Sequence, residues 1–179
     1  MDEIVVSTVV YLPPEEVYEF LVDFPRYANY SKHLTDVTKD GDGTPGTRYG
    51  LHFSWWKLTY TARSEVTAVD PPTRIDWRIV KDVDARGRWR VSELAELPAD
   101  APADAETACR VFLEVVFDPD SVDERSLDLP RFVSLGFVVE KVKPVLVKEA
   151  ERVVSRIVRD LEGRNRDVHL ELREEPDSV

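Results

Sequence analysis

The 179-residue chain carries 35 acidic against 24 basic residues, a formal charge of −11 that opposes binding to phosphate backbones or anionic lipid and sets nucleic acid aside as a partner. At 42% hydrophobic and 33% charged it is neither a disordered tail nor a membrane-embedded chain, and a domain of this length buries roughly 70% of its unfolded surface, enough to enclose a cavity. A single cysteine, Cys109, excludes an internal disulfide, and the opening Met1, Asp2 and Glu3 put no basic segment ahead of an apolar one, so a reducing, cytoplasmic home is expected.

Residues 4–12, rich in Val and Thr and stopped by Pro13 and Pro14, predict a strand. Pro14 suits a first helical position, Glu15 and Glu16 sit at the positive end of the helix dipole, and Val17, Phe20 and Leu21 recur at three and four, so a short amphipathic helix follows. Tyr27, Tyr30 and Leu34 predict a second short helix within 24–34, broken from the first near Pro25. Strand character then fills 36–39, 47–55, 57–69, 74–81, 88–97 and 107–117, with turn signals at 41–46, 70–72, 84–87 and 98–105, as an antiparallel sheet requires.

Alternation puts Tyr49, Leu51, Phe53 and Trp55 on one face of their strand, and likewise Leu58, Tyr60, Ala62 and Val66. Ile75, Trp77 and Ile79 form a third set, Trp89 with Val91 a fourth, and Cys109, Val111, Leu113, Val115 and Phe117 a fifth. Arg48, Arg63, Arg78, Arg90 and Arg110 mostly take the opposite parity and read as a solvated outer surface. After Pro119 the period turns helical: Val139, Val142, Leu146, Ala150, Val153, Ile157 and Leu161 return at three or four residues. Pro144 either kinks that helix or starts it after a shorter segment at 130–143, and Gly163 is placed to cap its end. The expected organisation is one domain over 1–163 and a polar tail over 164–179 with a short strand at 168–172.

The familiar motifs are absent or out of context. Gly41, Gly43 and Gly46 match G-x-G-x-x-G, but a strand follows where a helix should, and Pro45 removes an amide that would bind phosphate. His33, His52 and His169, expected in a helix, a strand and the tail, have no metal-binding spacing, so neither a metal nor a cofactor is expected. His52 has outward parity, and Cys109, on an apolar face, reads as a small core residue. The acidity, with arginine in excess of lysine, has two readings: a salt-rich cytoplasm or a GC-rich genome. Trp55, Trp56, Trp77 and Trp89 with Tyr49, Phe53 and Tyr60 concentrate large rings on the sheet, as plain core or as pocket lining.

The order strand, two short helices, antiparallel strands and one long C-terminal helix resembles the α+β helix-grip fold of the START-related SRPBCC superfamily. The opening run 4–23, with Leu12-Pro13-Pro14-Glu15-Glu16-Val17-Tyr18-Glu19-Phe20-Leu21-Val22-Asp23, is similar to its polyketide cyclase/dehydrase and coenzyme Q-binding branches. So are 65–75 around Asp70-Pro71-Pro72, Gly87-Arg88-Trp89 and Cys109-Arg110-Val111. The likeness spans about 3–162, with departures at 98–105 and 118–135.

The resemblance implies a curved sheet around the long helix and a hydrophobic ligand (lipid, quinone or isoprenoid, or polyketide-like) bound or transferred between them. Its implied contacts are Tyr49, Leu51, Phe53, Tyr60, Ala62, Trp77, Ile79, Trp89, Val91, Val111, Leu113, Val142 and Leu146. A cyclase or dehydratase is the alternative, with Tyr60 and Glu93 as acid/base candidates of inward parity. A protein-interaction module is the third reading; an exposed apolar patch at 129–137 would favour it, and a macromolecular partner is left open. The amphipathic stretch 127–142 is read as packed helix or lid, without stable membrane insertion.

Overall fold

A computed structural model of the chain describes residues 2–55, 58–122 and 135–176, with the backbone alone at 119, 135–147 and 174–176. Among the described residues eight strands form one sheet: β1 (Asp2–Val10), β2 (Leu34–Asp40), β3 (Arg48–Trp55), β4 (Leu58–Asp70), β5 (Arg74–Ile79), β6 (Ala85–Glu93), β7 (Cys109–Phe117) and β8 (Glu171–Pro176). Their order is β2-β3-β4-β5-β6-β7-β1-β8, and every neighbouring pair is antiparallel. Helix α1 (Pro14–Val22) and a 3-10 helix (Phe24–Asn29) follow β1, and the long helix α2 (Leu135–Glu162) precedes β8. A curved antiparallel sheet against one long C-terminal helix, with two short helices after the first strand, is the helix-grip arrangement.

Register assigns the faces. Tyr49 pairs with Ser64, Leu51 with Ala62 and Phe53 with Tyr60; across the sheet Ile75 pairs with Trp89, Trp89 with Leu113, and Leu113 with Val6. Directly opposed residues share a face, so the five apolar sets lie on the same, inner side. Irregularities between Leu34 and Asp36 and between Val66 and Ala68 each insert a residue, which bends a strand and raises its twist. The second also restores Val69 to the inner face, opposite Ile75. The other face carries charge: Glu65 bridges Arg48 and Arg78, Asp76 accepts from Arg88, and Glu114 accepts from Arg90. Such solvated pairs contribute little stability singly, and they leave folding to the inner face.

The buried cluster joins Val17, Phe20 and Leu21 of α1 to Phe24, Tyr49, Val66, Ile75, Val91, Cys109, Val111 and Val158. Fully burying one such side chain contributes about 1.5–3 kcal/mol. Phe24 lies 5.2 Å from Tyr27 and 4.5 Å from Tyr49 between ring centroids, fastening the 3-10 helix to β3. Gly163, at φ +73°, donates its N–H to Arg159 O and ends α2 as expected.

Several boundaries move. The second short helix stops at Asn29, and Leu34 opens β2, so His33 sits in a bend and not in a helix. Residues 85–87, expected in a turn, begin β6. Gly87 is there because Trp77 lies over it: a Cβ at 87 would stand 2.1 Å from the indole. The helix runs unbroken through Pro144 instead of starting there, and the strand foreseen at 168–172 is paired at Glu171–Pro176 along β1. Trp56, Lys57 and most of the connection between Asp118 and Leu135 lie outside the described residues, as do 129–134 and the side chains of 135–137, where the patch at 129–137 would lie. No helix among the described residues is long and apolar enough to cross a membrane.

Candidate functional site

Between the inner face of the sheet and α2 lies a cavity of about 410 Å³. Thr8 and Val10 of β1, Val17, Phe20 and Leu21 of α1, and Tyr27 of the 3-10 helix form part of its wall. Ser31, His33 and Leu34 come from the following bend and the start of β2, and Leu51, Phe53, Trp89 and Val111 from the sheet. Helix α2 completes it with Glu149, Ala150, Val153, Val154, Ile157, Val158 and Leu161, one stripe at helical spacing. Many of these apolar groups are only half-buried: Leu51, Trp89, Val153, Val154, Ile157 and Leu161, with Phe53 38% exposed. Ile75 and Tyr49, deeper in the same sheet, are 0% and 2% exposed. The contrast arises because, among the described residues, the rings and methyls around the hollow have no partner on the side that faces it.

The polar groups of the wall are mostly satisfied within the protein. Thr8 Oγ1 donates to His169 O at 2.9 Å, and Tyr27 OH donates to Leu21 O. Ser31 Oγ accepts from His33 N at 3.2 Å, while His33 Nδ1 lies 3.3 Å from Ser54 O, a contact that requires the proton on that nitrogen. Burial raises the Tyr27 phenol well above its usual range, so it remains neutral. Glu149 is the exception. It is 6% exposed, and its Oε1 has no hydrogen-bond partner among the described residues.

Of the thirteen residues implied as ligand contacts, Leu51, Phe53, Trp89 and Val111 line this cavity. Tyr49 and Val91 are buried in the packed cluster beside it. Ala62, Ile79 and Leu113 share the inner face by register but are not among the lining residues. Trp77 borders a charged cleft of about 350 Å³ with Asp76, Arg78, Arg86 and Arg88, and Tyr60 a polar one of about 400 Å³ with Thr61, Arg63, Lys81 and Asp82. Val142 and Leu146 belong to the part of α2 whose side chains lie outside the described residues.

The acid/base candidates are not brought together. Tyr60, its phenol raised by burial and then by Asp82, faces the polar cleft; Glu93 ends β6 as an exposed residue opposite Cys109. Cys109 is fully buried, its Sγ–H donates to Leu12 O at 3.2 Å, and burial, with Glu93 and Glu15 nearby, pushes its thiol up to about 11. A thiol so held is no nucleophile at neutral pH. Among the described residues no group of three or more His, Cys, Asp or Glu is placed to hold a metal ion.

Sequence reasoning passed over Thr8, Tyr27, Ser31, His33 and Glu149. For Glu149 a signal existed: it stands four residues before Val153 and eight before Ile157, on the edge of the apolar stripe of α2, where an acid ordinarily means a solvated flank.

A family model described as polyketide cyclase/dehydrase and lipid transport matches residues 1–158. No curated protein matches the chain. Among solved structures the chain is similar to the Zhui aromatase/cyclase of a Streptomyces species, at 19% identity over 92% of this chain and 96% of that one, TM-score 0.58. It is also similar to a protein of Thermus thermophilus, at 18% identity over 90% and 97%, TM-score 0.57. A Thermobifida fusca protein solved by NMR matches at 16% identity over 93% and 99%, TM-score 0.57. At these identities the structural likenesses speak for the fold alone.

Proposed function

We propose that this chain, which belongs to the polyketide cyclase/dehydrase and lipid transport family, binds or carries an apolar small molecule in the cavity between the sheet and α2. The guest is a lipid, a quinone or isoprenoid, or a polyketide-like compound. The observation that carries this reading is the hollow itself: about 410 Å³, walled by Leu51, Phe53, Trp89, Val111 and the apolar stripe of α2. Pockets of roughly 300–1,000 Å³ with mostly apolar walls are the usual size and character of small-molecule sites. A guest hiding about 300 Å² of apolar surface would gain roughly 7 kcal/mol before the cost of association, so retention needs no covalent or metal chemistry.

Tyr60 and Glu93 lend the cyclase alternative no support, because neither lines this cavity. Solvent extraction of the protein purified from its native cells, followed by mass spectrometry, is expected to release a stoichiometric apolar compound. A panel of fatty acids, quinones and polycyclic aromatics titrated against the emptied protein should give saturable binding for at least one class. An empty extract together with no binding from the panel would defeat the proposal.

A further inference from the structure

Among the described residues that line the cavity, Glu149 brings a buried acceptor that no protein donor engages. Glu149 is buried on the α2 side, and its Oε1 makes no hydrogen bond to any of the described residues. The cations beside it, Arg152 and Arg156, stand 3.8 Å from its oxygens, beyond hydrogen-bond reach. Arg156 instead donates from Nη1 to Tyr30 O at 2.9 Å, which places the carboxylate beside the bend that carries Ser31. The hydroxyls of Thr8 and Tyr27 are already donated to backbone carbonyls. A buried carboxylate oxygen left without a donor is costly, and a ligand that supplies one recovers that cost on binding.

The charge around Glu149 decides what kind of donor fits. Two guanidinium groups already offset one carboxylate, so a cationic head group would add a third positive charge against one negative, whereas a ligand carboxylate would bring a further acceptor and no donor. A neutral hydroxyl suits both conditions. Resting on the cavity reading above, we infer that the guest is a neutral hydrophobe with a hydroxyl at one end, and that Glu149 accepts that hydroxyl's hydrogen bond and so orients the molecule in the cavity.

The test compares naphthalene, 2-naphthol and 2-naphthoate by isothermal titration against the full chain at neutral pH. In the native protein 2-naphthol binds about tenfold or more tightly than naphthalene, the range expected for a hydrogen bond to a charged acceptor, and 2-naphthoate binds most weakly. In Glu149→Leu the advantage of the hydroxyl vanishes while naphthalene still binds, which also reports that the variant has kept its fold. Glu149→Gln, similar in shape with only a neutral acceptor, keeps a reduced preference. Equal affinities for naphthalene and 2-naphthol in the native protein, a preference undiminished in Glu149→Gln, or one surviving in Glu149→Leu would overturn the role of Glu149 and leave the cavity reading standing. Binding of none of the three would overturn the role of Glu149, and an empty extract with no binding from the wider panel would overturn the cavity reading as well.

Discussion

If the space beside α2 is a hollow, deleting side-chain volume there should cost much less than deleting it elsewhere on the same sheet. Ile75 and Ile157 provide the comparison: Ile75 is fully enclosed in the packed cluster, while Ile157 is half-buried on the cavity wall. Ile→Ala removes three carbons, about 2.4 kcal/mol of transfer free energy at ~0.8 kcal/mol each. At Ile75 a new void adds to that, giving a loss of about 3–4 kcal/mol, within the usual range for such core truncations. At Ile157 only part of the side chain leaves an apolar contact and the void already exists, so the loss should be about 1 kcal/mol. The reverse substitution discriminates in the same sense: Val66→Phe overpacks a residue that is 1% exposed and should cost about 1–3 kcal/mol, whereas Val154→Phe grows into the hollow and should be neutral or stabilising. Urea unfolding followed by circular dichroism, with the slope of stability against denaturant unchanged, measures all four. Equal losses for Ile75→Ala and Ile157→Ala, with Val154→Phe as damaging as Val66→Phe, would refute the reasoning, because both sites would then be tightly packed.

Other outcomes follow from single contacts. Gly87→Ala should destabilise the fold by about 1–3 kcal/mol because the new methyl collides with the Trp77 ring, and Trp77→Leu in the same chain should recover most of the loss; no rescue would place the strain elsewhere. Cys109 should react with Ellman's reagent at pH 8 only as fast as the protein opens, and prompt labelling of the folded protein would contradict its burial. Its pH dependence has a definite sign: the unfolded thiol loses its proton near 9.0, while the folded one holds it to about 11. Stability from this group is therefore whole below pH 9 and falls as pH rises through that window. Cys109→Ala should flatten that part of the profile, seen as the difference between the two proteins' urea midpoints at about pH 8 and about pH 10.5.

The alternation of apolar residues was enough to read the strands and their inner faces, since a one-residue slip would have turned Leu51, Trp89 or Val111 outward. The long helix was equally legible from its stripe. What the pattern could not contain was depth. Tyr49, Leu51 and Phe53 have identical parity on β3, yet Tyr49 packs against Phe24 while Leu51 and Phe53 border the cavity, a difference set by the 3-10 helix arriving from elsewhere in the chain. Gly87 read as a turn because the indole that needs its missing side chain sits ten residues away in sequence. Glu149 drew no notice because an acid at the edge of an apolar stripe ordinarily faces solvent, and the bend near residue 31 that lines the same cavity is not local to α2. The contribution of α1 and the 3-10 helix to the wall was invisible for the same reason: Val17, Phe20 and Leu21 announce an apolar face, not what stands opposite it.

An apolar guest seated between α2 and the sheet would touch a definite set of methyl groups. Methyl-labelled protein titrated with naphthalene and followed by carbon–proton NMR tests that seating most directly. Saturable shifts are expected in the methyls of Leu51, Val111, Val154 and Ile157, with that of Ile75, enclosed in the packed cluster, moving far less. Shifts confined to other regions, or no saturable shift at any of the four, would contradict it.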